Sequence, residues 1–512
     1  MSVGHWIHAV AASQPRKRLL RFEGEAFDAA RLAGVVDTLA AALAAAGVGR
    51  GEVVGWLGCN SPAMLGTLFA CARIGAIFMP LNWRLAPPEH RALLAEAAPR
   101  LFIADVPFAA VCAAEAVVPA GIRCVAAGGA APPGWTGWDA FAAAAAPPAL
   151  AAPDATVDTD APLLLCYTSG STGRPKGVLL SHRALAANAD ASVDMHGLTA
   201  ADHVLTTLPL FHVGGLNIQT TPALRAGATV TLHPKFDPGA TLDAIARDRI
   251  TLTVLVPAQL EALLAHPHWP AADLSSLRAV ATGSTLVPKP LIDAVRSRGV
   301  PVIQVWGATE TGPVVCCQRI RDARAKAGSA GRAAVGATLR IVDLDGRDLP
   351  ARASGEILVR APQLMSGYLR DPDASARALA GGWFRSGDSG HFDGDGFLWI
   401  DGRLKDMIIS GGENVSPAEV EAVLLECPEI AEAAVVGRPD PAWGEAVVAV
   451  VAPRPGARVD AARVLARYQG RLARFKHPRE LIVVDALPRT ALGKVRKEDL
   501  RRLVAQREGR AA

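Results

Sequence analysis

The chain has 512 residues, of which 50% are hydrophobic and 20% are charged. This length is enough for several domains, and the composition is that of an ordinary globular protein, which excludes a disordered or fibrous chain. The formal net charge of +4, from 53 basic and 49 acidic residues, is nearly neutral for this length and excludes the strongly basic footprint of a nucleic-acid-binding protein.

The cysteines and the apolar segments indicate the compartment. The eight cysteines form no Cys-x-x-Cys pair, and most lie in apolar stretches, which predicts free, buried thiols. The adjacent pair Cys316-Cys317 is predicted to pack within a strand. The N-terminus lacks a charged region followed by an apolar run, and no stretch of about twenty apolar residues occurs. We therefore expect a cytoplasmic protein without a membrane span.

Helix-like and strand-like patterns alternate along most of the chain, which is typical of an α/β fold with largely parallel sheets. Residues 126–155, dominated by Ala, Pro and Gly, are predicted to form a surface excursion inside a domain. The clearest periodic runs predict helices over 29–46, 62–74 and 288–298, and strands over 53–57, 77–81, 251–256, 280–281 and 302–305.

The pattern changes at about residue 328, where short strands begin to alternate with Gly/Asp turns. Such alternation predicts an antiparallel β subdomain. A compact α+β pattern follows, so the main domain boundary is predicted at 402–405. The elements predicted in these two regions are strands over 339–342, 356–359 and 397–400, then a helix over 417–426 and strands over 433–436 and 446–451.

A loop rich in hydroxyl groups and glycine follows an apolar strand at 163–166. It reads Tyr167-Thr-Ser-Gly-Ser-Thr-Gly-Arg-Pro-Lys-Gly177. Glycines let the backbone approach a ligand closely, and the hydroxyls, the N–H groups and the charge of Lys176 can bind phosphate oxygens. Pro175 stands where a Walker loop has its second glycine, so this is not a P-loop. A flexible surface turn is the alternative, and the composition of the loop favours phosphate binding.

This loop resembles the phosphate loop of the AMP-forming acyl-CoA synthetases, a superfamily shared with non-ribosomal peptide adenylation domains and firefly luciferases. The resemblance extends over nearly the whole chain, with the motifs in the same order. It implies an N-terminal domain, here 1–402, of two parallel-sheet α/β subdomains and an antiparallel β subdomain. It also implies a small mobile α+β domain, here 403–512, with a hinge at about 403–405. The loop residues that it assigns to the nucleotide are Thr168, Ser169, Gly170, Ser171, Thr172, Gly173 and Lys176.

Two motifs resemble those around the acid and the adenine. Leu208-Pro-Leu-Phe-His-Val-Gly-Gly215 implies that His212 lies beside the acyl pocket. Trp306-Gly-Ala-Thr-Glu-Thr311 implies that the Trp306 ring stacks on the base, that Thr309 contacts the α-phosphate and that Glu310 holds Mg²⁺. We expect the acid pocket to be lined by 212–217, 282–285 and 305–313, which contain little bulk and no arginine, so a diacid is disfavoured. The glycines that we place in this region at the ligand are Gly283 and Gly307.

Later motifs imply the remaining site residues. Gly382-Trp-Phe-Arg-Ser-Gly-Asp388 supplies Asp388 for the ribose, and Leu487-Pro-Arg-Thr-Ala-Leu-Gly-Lys494 supplies the catalytic lysine, Lys494. Between these motifs lie Arg403, expected at the ribose, Lys405 at the hinge, and Gly411 and Gly412, expected to line a pantetheine tunnel. The positions that resemble coenzyme A contacts of aryl-CoA ligases are Arg84, Trp443 and Phe475, while His477 stands where some relatives have arginine.

The reaction implied by the resemblance has two steps. The carboxylate attacks the α-phosphorus of ATP and releases diphosphate, and the thiolate of coenzyme A then attacks the acyl adenylate. Negative charge crowds the first transition state, so Lys494, Mg²⁺ on Glu310 and the phosphate loop are expected to stabilise it. ATP, Mg²⁺, coenzyme A and a small carboxylic acid are the expected ligands, without nucleic acid. A homodimer is left open.

The acid is predicted to be a medium-chain or long-chain fatty acid, and the alternative is an aromatic acid of the cinnamate or benzoate type. A free-standing adenylation enzyme that loads a carrier protein is a second alternative for the acceptor. A non-catalytic nucleotide-binding protein descended from the family is the alternative from a different class.

Overall fold

The computed structural model describes residues 2–144, 157–168, 175–283, 287–410, 413–440, 443–469, 471–472, 474–490 and 494–508. The chain divides into two units. The first is formed by Met1–Leu339 and Val359–Arg385, and the second by Arg340–Leu358 and Ser386–Ala512.

Within the described part of the first unit, a nine-stranded sheet has parallel pairing at its centre and antiparallel strands at both edges. Its central strands are buried and rich in Val, Ile and Leu, as expected for a parallel sheet covered on both faces. The strands in spatial order are Arg332–Ala333, Cys316–Cys317, Val302–Trp306, Ala279–Gly283, Leu252–Val254, His203–Thr206, Thr229–Leu232, Arg18–Phe22 and Glu25–Asp28.

A second sheet of the first unit has eight strands among the described residues and is parallel except at one edge. Its strands in spatial order are Gly367–Tyr368, Lys176–Ser181, Pro162–Thr168, Ile77–Leu81, Val53–Leu57, Leu101–Asp105, Arg123–Ala127 and Thr136–Gly137. The helices of the unit are Trp6–Ser13, Ala29–Ala45, Pro62–Ile74, Pro87–Ala97, Val106–Ala114, Trp138–Ala143, His182–His196, Val213–Gly215, Thr221–Arg225, Pro238–Asp248, Pro257–Ala265, Lys289–Arg296 and Pro372–Ala378.

Local sequence signals explain the bounds of several elements. The helix Pro62–Ile74 begins after Ser61, whose Oγ accepts a hydrogen bond from the Met64 N–H at 3.1 Å. It ends at Gly75, which adopts the left-handed conformation with φ of 73°. The strands predicted at 53–57 and 77–81 are confirmed with these bounds, and every residue of both is buried.

The prediction of a surface excursion over 126–155 is only partly correct. Thr136–Gly137 adds an edge strand to the eight-stranded sheet, and Trp138–Ala143 forms a helix. Phe141 is buried, and the Trp138 ring meets Trp56 edge-on with ring centroids 6.0 Å apart. These aromatic side chains pack the segment against the rest of the first unit, although the residues beside them in the sequence are small and turn-forming. Residues 145–156 lie outside the described ranges.

The second unit contains an antiparallel sheet and an α+β segment. The described strands of the antiparallel sheet are Thr338–Val342, Gly355–Arg360, Phe384–Phe392 and Leu398–Arg403. The strands of the α+β segment are Ile408–Ser410, Glu413–Val415, Ile430–Asp440, Gly444–Pro453 and Glu480–Val483, and its helices are Pro417–Leu425, Ala461–Ala466 and Lys497–Glu508.

The cysteines lie within the described ranges and are free thiols, and most of them are buried, as predicted. Cys316 and Cys317 form the predicted packed strand. Considering the described helices alone, none combines the length and apolar character needed to cross a membrane.

Candidate active site

The phosphate loop connects two antiparallel strands of the first unit. Thr168 ends one strand and Lys176 begins the next, and these two residues are direct cross-strand partners. The pairing brings the two ends of the loop together at one sheet edge. The other predicted phosphate-binding residues lie outside the described residues; they are Ser169, Gly170, Ser171, Thr172 and Gly173.

Tyr368 lies between Lys176 and Glu310, although the sequence motifs did not single it out. Its hydroxyl donates to Glu310 Oε1 at 3.0 Å, and Lys176 Nζ lies 4.7 Å from the centroid of its ring. Burial first, and then the charge and hydrogen bond of Glu310, raise the pKa of the phenol. The phenol therefore stays protonated and remains a donor to the carboxylate. The backbone supports this arrangement, because Met365 N–H donates to Glu310 O at 2.8 Å.

The motif predicted to bind adenine and Mg²⁺ begins at the end of a buried strand. Trp306 is the last residue of Val302–Trp306, and Thr309–Thr311 forms a short 3-10 turn with Thr309 and Glu310 half-buried. A Cβ at Gly307 would overlap the Pro313 carbonyl oxygen, and one at Gly283 would overlap that of Val305. Glycine is required at both positions because the backbone segments lie so close together.

His212 follows a segment that is anchored by a buried asparagine. The Asn60 side chain donates to Leu208 O at 2.9 Å and accepts from Leu210 N–H at 2.8 Å. The Phe211 and His212 rings are 4.3 Å apart, and His212 is half-buried. Asn60 thus fixes the backbone that presents the histidine. Sequence reasoning missed it because 148 residues separate Asn60 from Leu208.

A second buried asparagine joins two of the predicted motifs. Asn188 Nδ2 donates to Asn217 O at 2.7 Å, and its Oδ1 accepts from Val314 N–H at 3.1 Å. Asn217 follows the His212 segment, and Val314 follows the Trp306 motif. The structure therefore brings together two stretches that the sequence predicted to line one pocket.

Arg84 lies in a cluster of aromatic and basic side chains. Its guanidinium carbon lies 4.8 Å from the Trp83 ring centroid, and Lys235 Nζ lies 4.6 Å from the same ring. Trp83 also meets Phe211, with ring centroids 6.4 Å apart. The cluster places two positive charges near the segment that carries His212, which suits an anionic ligand.

In the second unit, Asp388 and Arg403 are cross-strand partners. Arg403 Nε lies 2.7 Å from Asp388 Oδ1, and the two residues are paired in the antiparallel ladder. Ser386 Oγ accepts from Asp388 N–H at 3.0 Å and donates to Ile357 O at 2.7 Å. Both predicted ribose-binding residues therefore lie on one face of one sheet.

The other predicted residues of the second unit are partly described. Lys405 lies in the 3-10 turn Leu404–Asp406, but its side chain is outside the described part, as are Gly411 and Gly412. The Arg479 guanidinium carbon lies 4.1 Å from the Trp443 ring centroid, so Arg479 is a cation that the motif analysis missed. Lys494 is exposed, and its N–H donates to Thr490 Oγ1 at 3.2 Å.

The residues around Glu310 suit Mg²⁺ bound jointly by protein and nucleotide. Mg²⁺ commonly takes one or two carboxylates and completes its shell with phosphates and water. Glu310 offers one half-buried carboxylate. Among the described residues, no group of three or more His, Cys, Asp or Glu could cage a metal by itself.

Comparisons with known proteins agree with this geometry. The family model described as AMP-binding enzyme matches residues 7–369, and that of the AMP-binding enzyme C-terminal domain matches residues 419–494. An indoleacetate–CoA ligase of Aromatoleum aromaticum is 56% identical over 508 residues, which cover 99% of each chain. A feruloyl-CoA synthase of Amycolatopsis is 41% identical over 505 residues, or 98% of each chain. The crystal structure of an anthranilate CoA ligase with anthranoyl-AMP superposes with a TM-score of 0.90 at 27% identity, covering 98% of this chain and 97% of that one.

The chain therefore belongs to the family of AMP-binding enzymes. Within that family it is an acid–thiol ligase of the acyl-CoA synthetase type, as the resemblance of its motifs predicted. The predicted mixed α/β fold, with a large N-terminal and a small C-terminal part, is confirmed.

Proposed function

We propose that this chain activates an aromatic carboxylic acid of the indoleacetate or cinnamate type and transfers the acyl group to coenzyme A. The observation that carries the proposal is the 56% identity, over 99% of both chains, to an indoleacetate–CoA ligase. The 41% identical feruloyl-CoA synthase also acts, by its name, on an aromatic acid. Both names agree with the aryl-acid alternative.

The expectation of a medium-chain or long-chain fatty acid is not favoured. It rested on the frequency of such enzymes in the family, whereas the most similar relatives described above act on aromatic acids. The backbone at Gly214, in the stretch predicted to line the acid pocket, also leaves space for a bulky acyl group. A Cβ built on Gly214 would meet only Ile218 Cδ1, at 3.9 Å, so space is open on that side of the backbone.

In the adenylation step, groups of the first unit bind the phosphates through positive charge and orient them. Thr168 and Lys176 hold the two ends of the phosphate loop together, and Tyr368 holds the Glu310 carboxylate in one orientation. Mg²⁺, when bound at Glu310, supplies further positive charge to the phosphate oxygens. We expect Lys494 of the second unit to stabilise the charge that develops as the carboxylate attacks. Asp388, oriented by Arg403, is expected to accept hydrogen bonds from the ribose hydroxyls.

In the thioester step, basic and aromatic side chains are expected to bind the coenzyme A phosphates. Arg84 and Lys235 flank Trp83 in the first unit, and Arg479 stacks on Trp443 in the second. Guanidinium and ammonium groups are the usual phosphate partners in proteins. This step distinguishes the proposed function from the carrier-protein alternative, which needs no binding site for the coenzyme A nucleotide.

A screen of acids tests the proposal. Purified enzyme with ATP, Mg²⁺ and coenzyme A would be given indole-3-acetate, ferulate, benzoate, octanoate and palmitate, and AMP release would be measured. We expect the highest kcat/KM for an aromatic acid, with release dependent on coenzyme A. A preference for octanoate or palmitate would refute the aromatic assignment. AMP release that does not respond to coenzyme A would favour the carrier-protein alternative.

A further inference from the structure

The carboxamide of Gln219 is buried without a hydrogen-bond partner. Gln219 is only 2% exposed, and neither its Oε1 nor its Nε2 has a partner among the described residues. Most buried side-chain polar atoms in proteins are paired, and an unpaired one destabilises the folded state. A carboxamide whose oxygen and nitrogen are both unpaired is therefore destabilising. It indicates a place where a ligand or a water molecule can bind.

Gln219 lines a cavity that has room for about one water molecule. The hydroxyl groups in the wall are already used. Thr220 Oγ1 donates to Gly215 O at 2.6 Å and lies 2.7 Å from Thr206 Oγ1. Because the single Thr220 proton goes to Gly215, Thr206 must donate to Thr220. Gln219 is thus the side chain of this wall that still offers both a donor and an acceptor.

The cavity adjoins the stretch predicted to line the acid pocket. Gln219 lies in the π-helical turn Leu216–Thr220, directly after Gly214 and Gly215, which also line the cavity. Other polar atoms in the predicted pocket stretches are buried without a partner in the described part of the chain, namely Asn217 Nδ2 and Thr282 Oγ1. A pocket for a purely apolar chain would not require these groups.

We propose that Gln219 determines specificity by accepting a hydrogen bond from an N–H or O–H group on the ring of the aromatic acid. This inference rests on the proposed function and names the substrate class more narrowly. The ring lies on the open side of Gly214, and its polar hydrogen enters the cavity and replaces water at Gln219 Oε1. Indoleacetate carries a ring N–H and ferulate a phenolic O–H, both remote from the carboxylate, so one carboxamide can serve either kind of acid.

The test pairs a substitution with a change of substrate. Gln219→Met keeps the length of the side chain and removes its hydrogen-bonding groups. The substrates are indole-3-acetate and 1-benzothiophene-3-acetate, which has the same bicyclic shape with sulfur in place of N–H. We expect the wild type to prefer indole-3-acetate in kcat/KM by roughly 5–100-fold, because the analogue leaves the carboxamide unpaired. Gln219→Met should lower kcat/KM for indole-3-acetate about tenfold or more and leave that for the sulfur analogue unchanged or higher.

Two controls make the result specific. Gln259→Met changes another buried glutamine, whose Oε1 accepts from Val256 N–H at 3.2 Å, and it should keep the wild-type preference. The melting temperature of Gln219→Met should stay close to that of the wild type, because the substitution breaks no hydrogen bond to another described protein group.

The outcomes separate this inference from the proposed function. If Gln219→Met loses activity equally toward both acids, or keeps the full preference, Gln219 holds only a structural water and the inference is overturned. A wild type that activates both acids without preference overturns it as well. If the wild type activates neither acid but does activate fatty acids, the proposed function and the inference both fail.

Discussion

At the scale of single residues, Tyr368 joins two groups that the sequence motifs treat separately. Its hydroxyl bonds to Glu310, and its ring lies against Lys176. The motif residues could be selected from the sequence because their order and types are distinctive, and their roles stay predictions. Tyr368 was not, because its link to Glu310 spans 58 residues and a single Gly-Tyr pair has no specific meaning in a sequence. Asn60 and Asn188 were missed for the same reason, because their hydrogen-bond partners are also distant in the sequence.

The substitution Tyr368→Phe tests this link. It removes the hydroxyl that orients the Glu310 carboxylate but leaves the ring beside Lys176. We expect ATP–diphosphate exchange to fall by about 10–150-fold, because a hydrogen bond to a charged group contributes roughly 1.5–3 kcal/mol. Tyr468→Phe is the matched control, since the Tyr468 hydroxyl donates to Val420 O at 2.8 Å in the second unit. An exchange rate equal to that of the wild type would show that the hydroxyl has no part in adenylation.

At the scale of elements, capped and fully buried segments were predicted best. The strands at Val53–Leu57 and Ile77–Leu81 are β-branched or apolar throughout, and the helix between them has a serine cap and a terminal glycine. The strand Phe384–Phe392 was missed, because it contains two glycines and several polar residues and is mostly half-buried. Its position comes from pairing with Leu398–Arg403, which local sequence does not encode.

The two glycines after His212 should respond differently to alanine. A Cβ at Gly215 would overlap the Pro209 carbonyl oxygen, whereas one at Gly214 would find its nearest neighbour, Ile218 Cδ1, at 3.9 Å. We expect Gly215→Ala to lower the free energy of unfolding by about 1–3 kcal/mol, as overpacked sites do. Gly214→Ala should change it by less than about 0.5 kcal/mol. Urea unfolding measures both, and equal destabilisation of the two variants would contradict the packing argument.

At the scale of the whole molecule, the predicted site residues are divided between the two units. The phosphate loop, His212 and Glu310 belong to the first, and Asp388, Arg403 and Lys494 belong to the second. The sequence predicted a boundary at 402–405, which would leave Asp388 in the first part. The structure instead groups Ser386–Ala512 with Arg340–Leu358, because Asp388 pairs with Arg403 in the antiparallel sheet. The hinge at about 403–405 and the mobility of the C-terminal part stay predictions, because they concern motion between states and not the pattern of one chain.

Lys494→Ala tests whether the two half-reactions use different groups. We expect adenylation to fall by about 10²-fold or more, because a positive charge that stabilises the transition state is lost. Thioester formation from supplied acyl adenylate and coenzyme A should stay within about fivefold of the wild-type rate, a change of less than about 1 kcal/mol, because Lys494 is expected to act only in adenylation. Lys289→Ala, at an exposed lysine paired with Asp293, controls for loss of surface charge. Equal loss of both half-reactions would refute the division of roles.

The burial of the cysteine thiols affects a side reaction, the acylation of the enzyme's own thiols by the acyl adenylate. An acyl adenylate is an acylating agent, and the enzyme's own thiolates would compete with coenzyme A for it. Burial raises the pKa of Cys166, at the phosphate-loop strand, to about 12. It also raises that of Cys317, paired across the ladder with Val305, to about 12. A thiol with so high a pKa stays almost entirely protonated at neutral pH, and a thiol is a far weaker nucleophile than a thiolate. We therefore expect these two thiols to react slowly with an acyl adenylate.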